Sequence, residues 1–275
     1  MKALPVTVLL VFIFQTTWCQ YYYNDIISLK QSNEIYAVLK RNSVTLVTAT
    51  SVESDNTPTT GFSYKRQITN NGSLVTTDIS LEATGPTETQ EFYTNNLLSK
   101  SVDSSANVLT TVNYKYNQDG NIDWIETQTD DTSRNMHSVE VHKWFYTNNI
   151  PDSMLRIKDN ADTTFVHFKK DDKQNIIEEL WMKKNRIIEH YYYYYNNLSQ
   201  LTDIVRFNTR AQRMLPDFLF AYNNNGTLSQ LTQVPQGSSD YITWQYVYDE
   251  RGLKIKDALF DKHQQLLGTV TYTYQ

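Results

Sequence analysis

The sequence predicts an all-β fold, a long antiparallel meander of repeated β-hairpins with a short N-terminal helix. Three observations lead there. The first is composition: 275 residues hold 20 Tyr against only 8 Gly and 6 Pro. Tyr, with the abundant Thr, favours a pleated, half-buried surface, and the abundant Asn favours turns. The second is alternation with period two, which marks strands with one apolar face. Ile242, Trp244, Tyr246 and Tyr248 fall on one face, with Tyr241, Thr243, Gln245 and Val247 on the other. Val112, Tyr114 and Tyr116 oppose Thr111, Asn113 and Lys115 in the same way, and Val270, Tyr272 and Tyr274 oppose Thr271 and Thr273. The third is self-similarity. The word LSQLT follows Tyr195 and returns after Tyr222, with extra residues in the turn of the second copy.

Each unit reads as an aromatic, a short polar turn, then an apolar-rich stretch. The aromatics are Tyr64, Tyr93, Tyr116, Tyr146, Phe168, Tyr195, Tyr222, Tyr248 and Tyr274, with the last four steps 27, 27, 26 and 26 residues long. A mean step of about 26 residues lies within the range of repeat arrays. It accommodates two strands of roughly 6–9 residues and their turns. The predicted turns lie at Asn117–Gly120, Asn148–Asp152, Asn196–Asn197, Asn223–Gly226 and Asp249–Gly252. About eight steps give roughly sixteen strands. Sheets beyond about ten strands curl, split or close, so the expectation is a curled, spiral or open-barrel sheet. Tyr191 to Tyr195 covers both faces of one strand, which predicts a central strand packed on both sides.

The N-terminal region reads differently. Lys2 precedes an apolar run, Val6 to Phe14, that is short for a bilayer span, and Thr17 and Cys19 make a small-x-small pattern before Gln20. Residues 1–19 are therefore read as a secretory signal peptide, and bulky Trp18 argues against lipidation of Cys19. Export places the protein in the periplasm, on the outer surface or outside the cell. Cleavage at that point would leave no cysteine, hence no disulfide and no thiolate chemistry, and no transmembrane anchor. Within residues 20–60, Asp25 is a capping candidate and Ile26, Leu29, Tyr36 and Leu39 approximate a helical stripe over 25–41. Residues 53–60 read as a loop, and 61–275 as the hairpin-repeat domain.

The Y-x-Y-[DN]-x-x-G pattern, as in Tyr246-VYDERGL and Tyr114-KYNQDGNI, resembles the YD-type repeats of RHS-like proteins. The stretches YYYYYNNLSQLTDIVRFNTRAQRMLPDFLFAY and SSDYITWQYVYDERGLKIK resemble secreted repeat proteins of Bacteroidota more closely. The resemblance implies a β-repeat fold. RHS proteins build a spiral shell around a toxin from such repeats, but this chain is far too short for that shell. No catalytic residue is carried across.

A search for chemistry finds no HExxH, G-x-S-x-G or Walker loop, and it predicts no catalytic residue, metal site or cofactor. His137 and His142 fall on opposite faces of a strand, which makes them poor joint ligands. Asp130-Asp131, Asp171-Asp172 and Glu178-Glu179 are carboxylate neighbours that a strand would split between faces or a turn would leave solvated. His142-x-Trp144-x-Tyr146 and His190-x-Tyr192-x-Tyr194 each place a His and two aromatics on one face, suited to sheet packing or to sugar stacking. The ligand-binding candidates are Trp144, Tyr146, Trp244 and Tyr246. The net charge is −5 and no basic stripe is present, so nucleic acid is not an expected partner. Repeats build extended surfaces, and the leading expectation is an exported, non-catalytic scaffold or binding module for a polysaccharide or an envelope protein. The alternatives are a secreted hydrolase with a site assembled across strands, and an outer-membrane β-barrel.

Overall fold

The computed structural model describes residues 21–208, 211–235 and 240–275. The signal-peptide reading of residues 1–19 lies outside them. Helix α1 (Asn24–Arg41) comes first, as the 25–41 stripe predicts, and buries Leu29, Tyr36 and Leu39. The strands follow as β1 (Leu46–Glu53), β2 (Ser63–Thr69), β3 (Leu74–Leu81), β4 (Gly85–Thr94), β5 (Leu97–Ser105) and β6 (Val108–Tyr116). The next six are β7 (Ile122–Asp131), β8 (Met136–Thr147), β9 (Ile150–Lys158), β10 (Asp162–Lys170), β11 (Ile176–Lys183) and β12 (Arg186–Tyr195). The last six are β13 (Leu201–Asn208), β14 (Arg213–Tyr222), β15 (Leu228–Gln233), β16 (Ile242–Tyr248), β17 (Lys254–Phe260) and β18 (Leu266–Tyr274).

Each strand pairs antiparallel with its sequence neighbours, and β1 pairs with both β2 and β18. The sheet is thus a closed 18-stranded up-and-down barrel, not the spiral or open sheet expected above. Closure leaves no unpaired edge. The repeat unit explains the curvature. At Phe92/Tyr93, Lys115/Tyr116, Phe145/Tyr146 and Lys169/Lys170 the register shifts by one residue just before the turn. The same happens at Tyr194/Tyr195, Ala221/Tyr222 and Val247/Tyr248. A bulge bends its strand and increases the local twist. Seven of them at one end of successive hairpins curl the sheet until β18 meets β1.

The same end carries a recurrent five-residue turn at 117–121, 171–175, 196–200, 223–227 and 249–253. In each, the first residue's side-chain oxygen accepts the N–H of the fifth. The fourth residue has positive φ: Gly120 80°, Gln174 68°, Ser199 57°, Gly226 86° and Gly252 79°. Asn or Asp at the first position supplies the acceptor, and the positive φ at the fourth favours Gly, which three of the five turns carry. The shorter turn at Asn148-Asn149 has both φ values positive, the primed geometry that matches hairpin twist.

Tyr93, Tyr116, Tyr146, Tyr195, Tyr222, Tyr248 and Tyr274 close even-numbered strands and face inward. The expectation for Tyr191 to Tyr195 is half corrected. Tyr191 and Tyr193 are buried inside, but Tyr194 is 51% exposed on the outer face. Nothing lies outside that sheet to cover it among the described residues.

Candidate functional site

The barrel interior at the bulged end is filled by α1 and the residues just before it. Tyr21 packs against Tyr191, Tyr193 and Phe218, and Tyr22 against Trp181 and His142. Farther along α1, the Tyr36 ring stacks on Tyr93 at 3.8 Å and its hydroxyl donates to the Gly72 carbonyl. Asn33 accepts the Leu98 N–H at 2.9 Å, and Lys40 donates to Asn96 at 2.7 Å. The helix thus crosses the barrel end and ties several turns together.

Two polar anchors hold the start of this plug. Glu179 is fully buried and receives four donors: Tyr22 N at 2.6 Å, Tyr23 N at 2.9 Å, Trp181 Nε1 at 2.5 Å and the Tyr193 hydroxyl at 2.5 Å. Burial pushes its carboxyl pKa up, and the donors oppose that shift. All four partners are donors, so the carboxylate is the form that fills these bonds. Its negative charge also sits where a helix N-terminus favours one.

The second anchor is a charged chain. His142 Nδ1 lies 2.6 Å from Asp25 on the plug, and its Nε2 lies 2.9 Å from Glu140 on the same strand. Arg156 joins Glu140 at 2.6 Å and Asp162 at 3.3 Å, and Lys183 also contacts Asp162. Burial works against a charged imidazole, but the two carboxylates outweigh it and raise the His142 pKa to about 9. Burial raises the Glu140 pKa, while His142 and Arg156 pull it down to about 2. With a carboxylate on each ring nitrogen, His142 has no free lone pair to accept a proton from a substrate. The arrangement fastens the plug to the wall and is not that of a general base.

Further ion pairs line the inner wall, Arg66–Glu91 at 2.7 Å, Arg206–Asp217 at 2.8 Å and Lys254–Asp257 at 2.8 Å. The four ligand candidates all face inward. Trp144 is buried, stacks on Phe168 at 5.3 Å and donates to Asp25 at 3.3 Å. Tyr146 is half-buried and donates to the Ile122 carbonyl at 2.8 Å. Tyr246 is buried with its hydroxyl unpaired, opposite Asp257, and Trp244 is half-buried opposite Leu259. Trp144 and Tyr146 are brought together on β8, and Trp244 and Tyr246 on β16. The two His-aromatic strips part company: His142, Trp144 and Tyr146 face the interior, while His190 and Tyr192 stack on the outer face beside Glu178. The sequence reading missed Glu179 and the Asp25–His142–Glu140–Arg156 chain. One signal was present, since Glu140 shares the period-two face of His142, Trp144 and Tyr146.

No protein-family model matches the chain, and no curated protein matches its sequence. Among solved structures, the chain is similar to a porin-like protein from Bacteroides uniformis, with 11% identity, a TM-score of 0.37, and 84% of this chain and 98% of that one covered. A porin-like protein from Bacteroides vulgatus gives 12% identity, a TM-score of 0.33 and the same coverage. A TcdB2-TccC3-Cdc42 structure gives 12% identity and a TM-score of 0.35, matching 74% of this chain but 12% of the far longer one.

Proposed function

We propose that this protein is an exported, water-facing β-barrel of the bacterial cell envelope, a non-catalytic scaffold or binding module for a polysaccharide or another envelope protein. The observation that carries this reading is the outer face of β2 to β7. Lys65, Asp78, Glu88, Lys100, Lys115 and Glu126 project outward there; Lys65 faces Asp78 and Asp78 faces Glu88, while Lys100 lies over Phe92 and Lys115 over Trp124. A Lys or Arg on a lipid-facing strand costs about 2–4 kcal/mol at the bilayer midplane. That sector is built for water. Saturation of both His142 nitrogens supports the non-catalytic part. Tyr146 and Trp244, the less buried of the four aromatic candidates, are the first positions to test against glycans.

A second reading, an outer-membrane barrel, is favoured by the closed ring with an even strand number and by outward apolar residues on other strands. Phe145, Phe165, Tyr194, Phe207 and Val247 are 37–51% exposed. Envelope fractionation separates the two readings. Release by high salt or alkaline carbonate supports the water-facing barrel, and release by detergent alone supports the membrane-spanning one.

A further inference from the structure

The outer surface is not uniform. The exposed large apolar side chains concentrate on β8 to β14, and the densest group lies toward the end opposite the plug. Leu155 pairs with Phe165, Phe165 with Met182, and Met182 with Ile187, so one apolar row crosses four strands. Phe207 pairs with Met214 on the next two strands. Ile187 is 58% exposed, Ile188 51% and Phe207 49%. Such a contiguous patch on a water-facing barrel marks an interaction site.

The surrounding charge selects the partner. Lys184 and His167 border the same shallow groove as Phe165 and Met182. Lys143 stands directly opposite Leu155 on the outer face, whereas Arg186 and Arg213 at the first positions of β12 and β14 share the inward register of Lys183 and Asn208. Outward positions over this half of β10 to β14 hold no carboxylate among the described residues. The nearby rim carboxylates are engaged: Asp162 with Arg156 and Lys183, and Asp159 with the Val139 N–H. Lysines beside an apolar patch, on a chain of net charge −5, are a local inversion of charge. Apolar insertion bordered by Lys is the chemistry that holds a protein on an anionic bilayer surface.

We infer that the outer face of β8 to β14 is a peripheral docking surface for an anionic lipid bilayer, with Ile187, Ile188, Phe165, Phe207 and Met214 entering the headgroup boundary and Lys143 and Lys184 meeting the phosphates. The site is separate from the interior and goes beyond the scaffold reading, although it rests on the barrel facing water elsewhere.

Co-sedimentation of the purified protein with phosphatidylcholine vesicles, with and without phosphatidylglycerol, tests it. Binding should require phosphatidylglycerol and fall steeply with salt. The double variant Ile187→Ser/Phe207→Ser should weaken it by about tenfold or more, as should Lys143→Glu/Lys184→Glu. Thr111→Glu on the polar side should leave it unchanged. All these positions are exposed or half-buried on the outer face or rim, and thermal melts confirm that each variant folds. No binding to phosphatidylglycerol vesicles overturns the inference, as does dimerisation in solution that the Ile187→Ser/Phe207→Ser pair abolishes, which would assign the patch to a second copy. Extraction from envelopes by detergent alone overturns the water-facing reading as well. Salt-released protein that ignores vesicles overturns the docking surface only.

Discussion

The Tyr222 hydroxyl donates to the Leu201 carbonyl at 2.8 Å, linking the end of one strand to the start of the strand before it. Four other hairpins repeat the link: Tyr116 to Leu98, Tyr146 to Ile122, Tyr195 to Ile176 and Tyr274 to Lys254, at 2.6–2.8 Å. In each case the carbonyl lies next to a bulge-forming turn, and the tyrosine satisfies it from inside the barrel. The aromatic repeat in the sequence is thus the trace of a hydrogen bond as well as of a packed ring.

Tyr222→Phe separates the two contributions. It keeps the ring and removes the donor, so it should cost about 1 kcal/mol. Tyr222→Ala loses the ring too and should cost about 2–4 kcal/mol, below the figure for a fully buried aromatic because Tyr222 is half-buried. Urea denaturation of both variants measures the difference. Equal losses would mean that the hydroxyl bond contributes nothing.

The turns make a prediction of opposite sign. Gln174 and Gln264 hold φ of 68° and 61° at the position that Gly occupies in three related turns. A non-glycine residue in the left-handed region costs roughly 1 kcal/mol or more, partly offset by the greater unfolded-state freedom of glycine. Gln174→Gly and Gln264→Gly should each raise the melting temperature by a degree or more, equivalent to about 0.5 kcal/mol. Gly120→Ala should do the reverse. A Cβ there meets nothing within 4 Å, so its cost reports backbone conformation alone.

These features were legible because they are local. The Tyr, its bulge and the Asn- or Asp-led turn lie within a few residues, and period-two alternation exposes the inner face. The α1 stripe was legible for the same reason. Closure was not, because it depends on β1 meeting β18: Val47 opposite Tyr274 and Ala49 opposite Tyr272. Nothing near residue 47 encodes a partner that far along the chain. The plug anchors were hidden likewise. Asp25 and His142 are 117 residues apart, and Glu178-Glu179 read equally as a pair split between the faces of a strand or solvated in a turn. Alternation sends Glu178 outward to Lys169 and His190, and Glu179 inward to four donors. The spiral-or-closed question was one of long-range register, which local periodicity does not specify.

The Asp25–His142–Glu140 chain predicts a pH window. The folded-state pKa of His142 lies near 9, above its ordinary 6.5. Its contribution is therefore complete below pH 6.5 and disappears as pH rises through 9. Glu140 lies near 2, below its ordinary 4.5, so its contribution is complete above pH 4.5 and fades as pH falls toward 2. Between about pH 4.5 and 6.5 both are in force. The unfolding free energy of the wild type, measured by urea denaturation, should decline from pH 6.5 to 9.5 by an amount on the order of 2–3 kcal/mol, and His142→Gln should flatten that limb. An unaltered slope in His142→Gln would assign the alkaline loss to other groups.

Glu179 offers the sharpest test of what fastens the plug. Glu179→Gln is nearly isosteric, so it leaves no cavity. It replaces one acceptor oxygen with an NH2 group that meets N–H and O–H donors from Tyr22, Tyr23, Trp181 or Tyr193. One or two of those buried donors then lose their acceptor, at about 1–3 kcal/mol each. Because two of the four belong to the plug backbone, the loss should fall on the attachment of α1 and spare the eighteen-strand ring, whose ladder involves no Glu179 side-chain bond. Hydrogen exchange should therefore quicken in 24–41 while β6 and β7 remain protected, and protease should nick the plug before the barrel. Glu178→Gln, one residue away but on the outer face, should change neither. If exchange instead rises evenly around the barrel, the plug and the ring unfold as one unit, and Glu179 stabilises the whole fold and not an attachment.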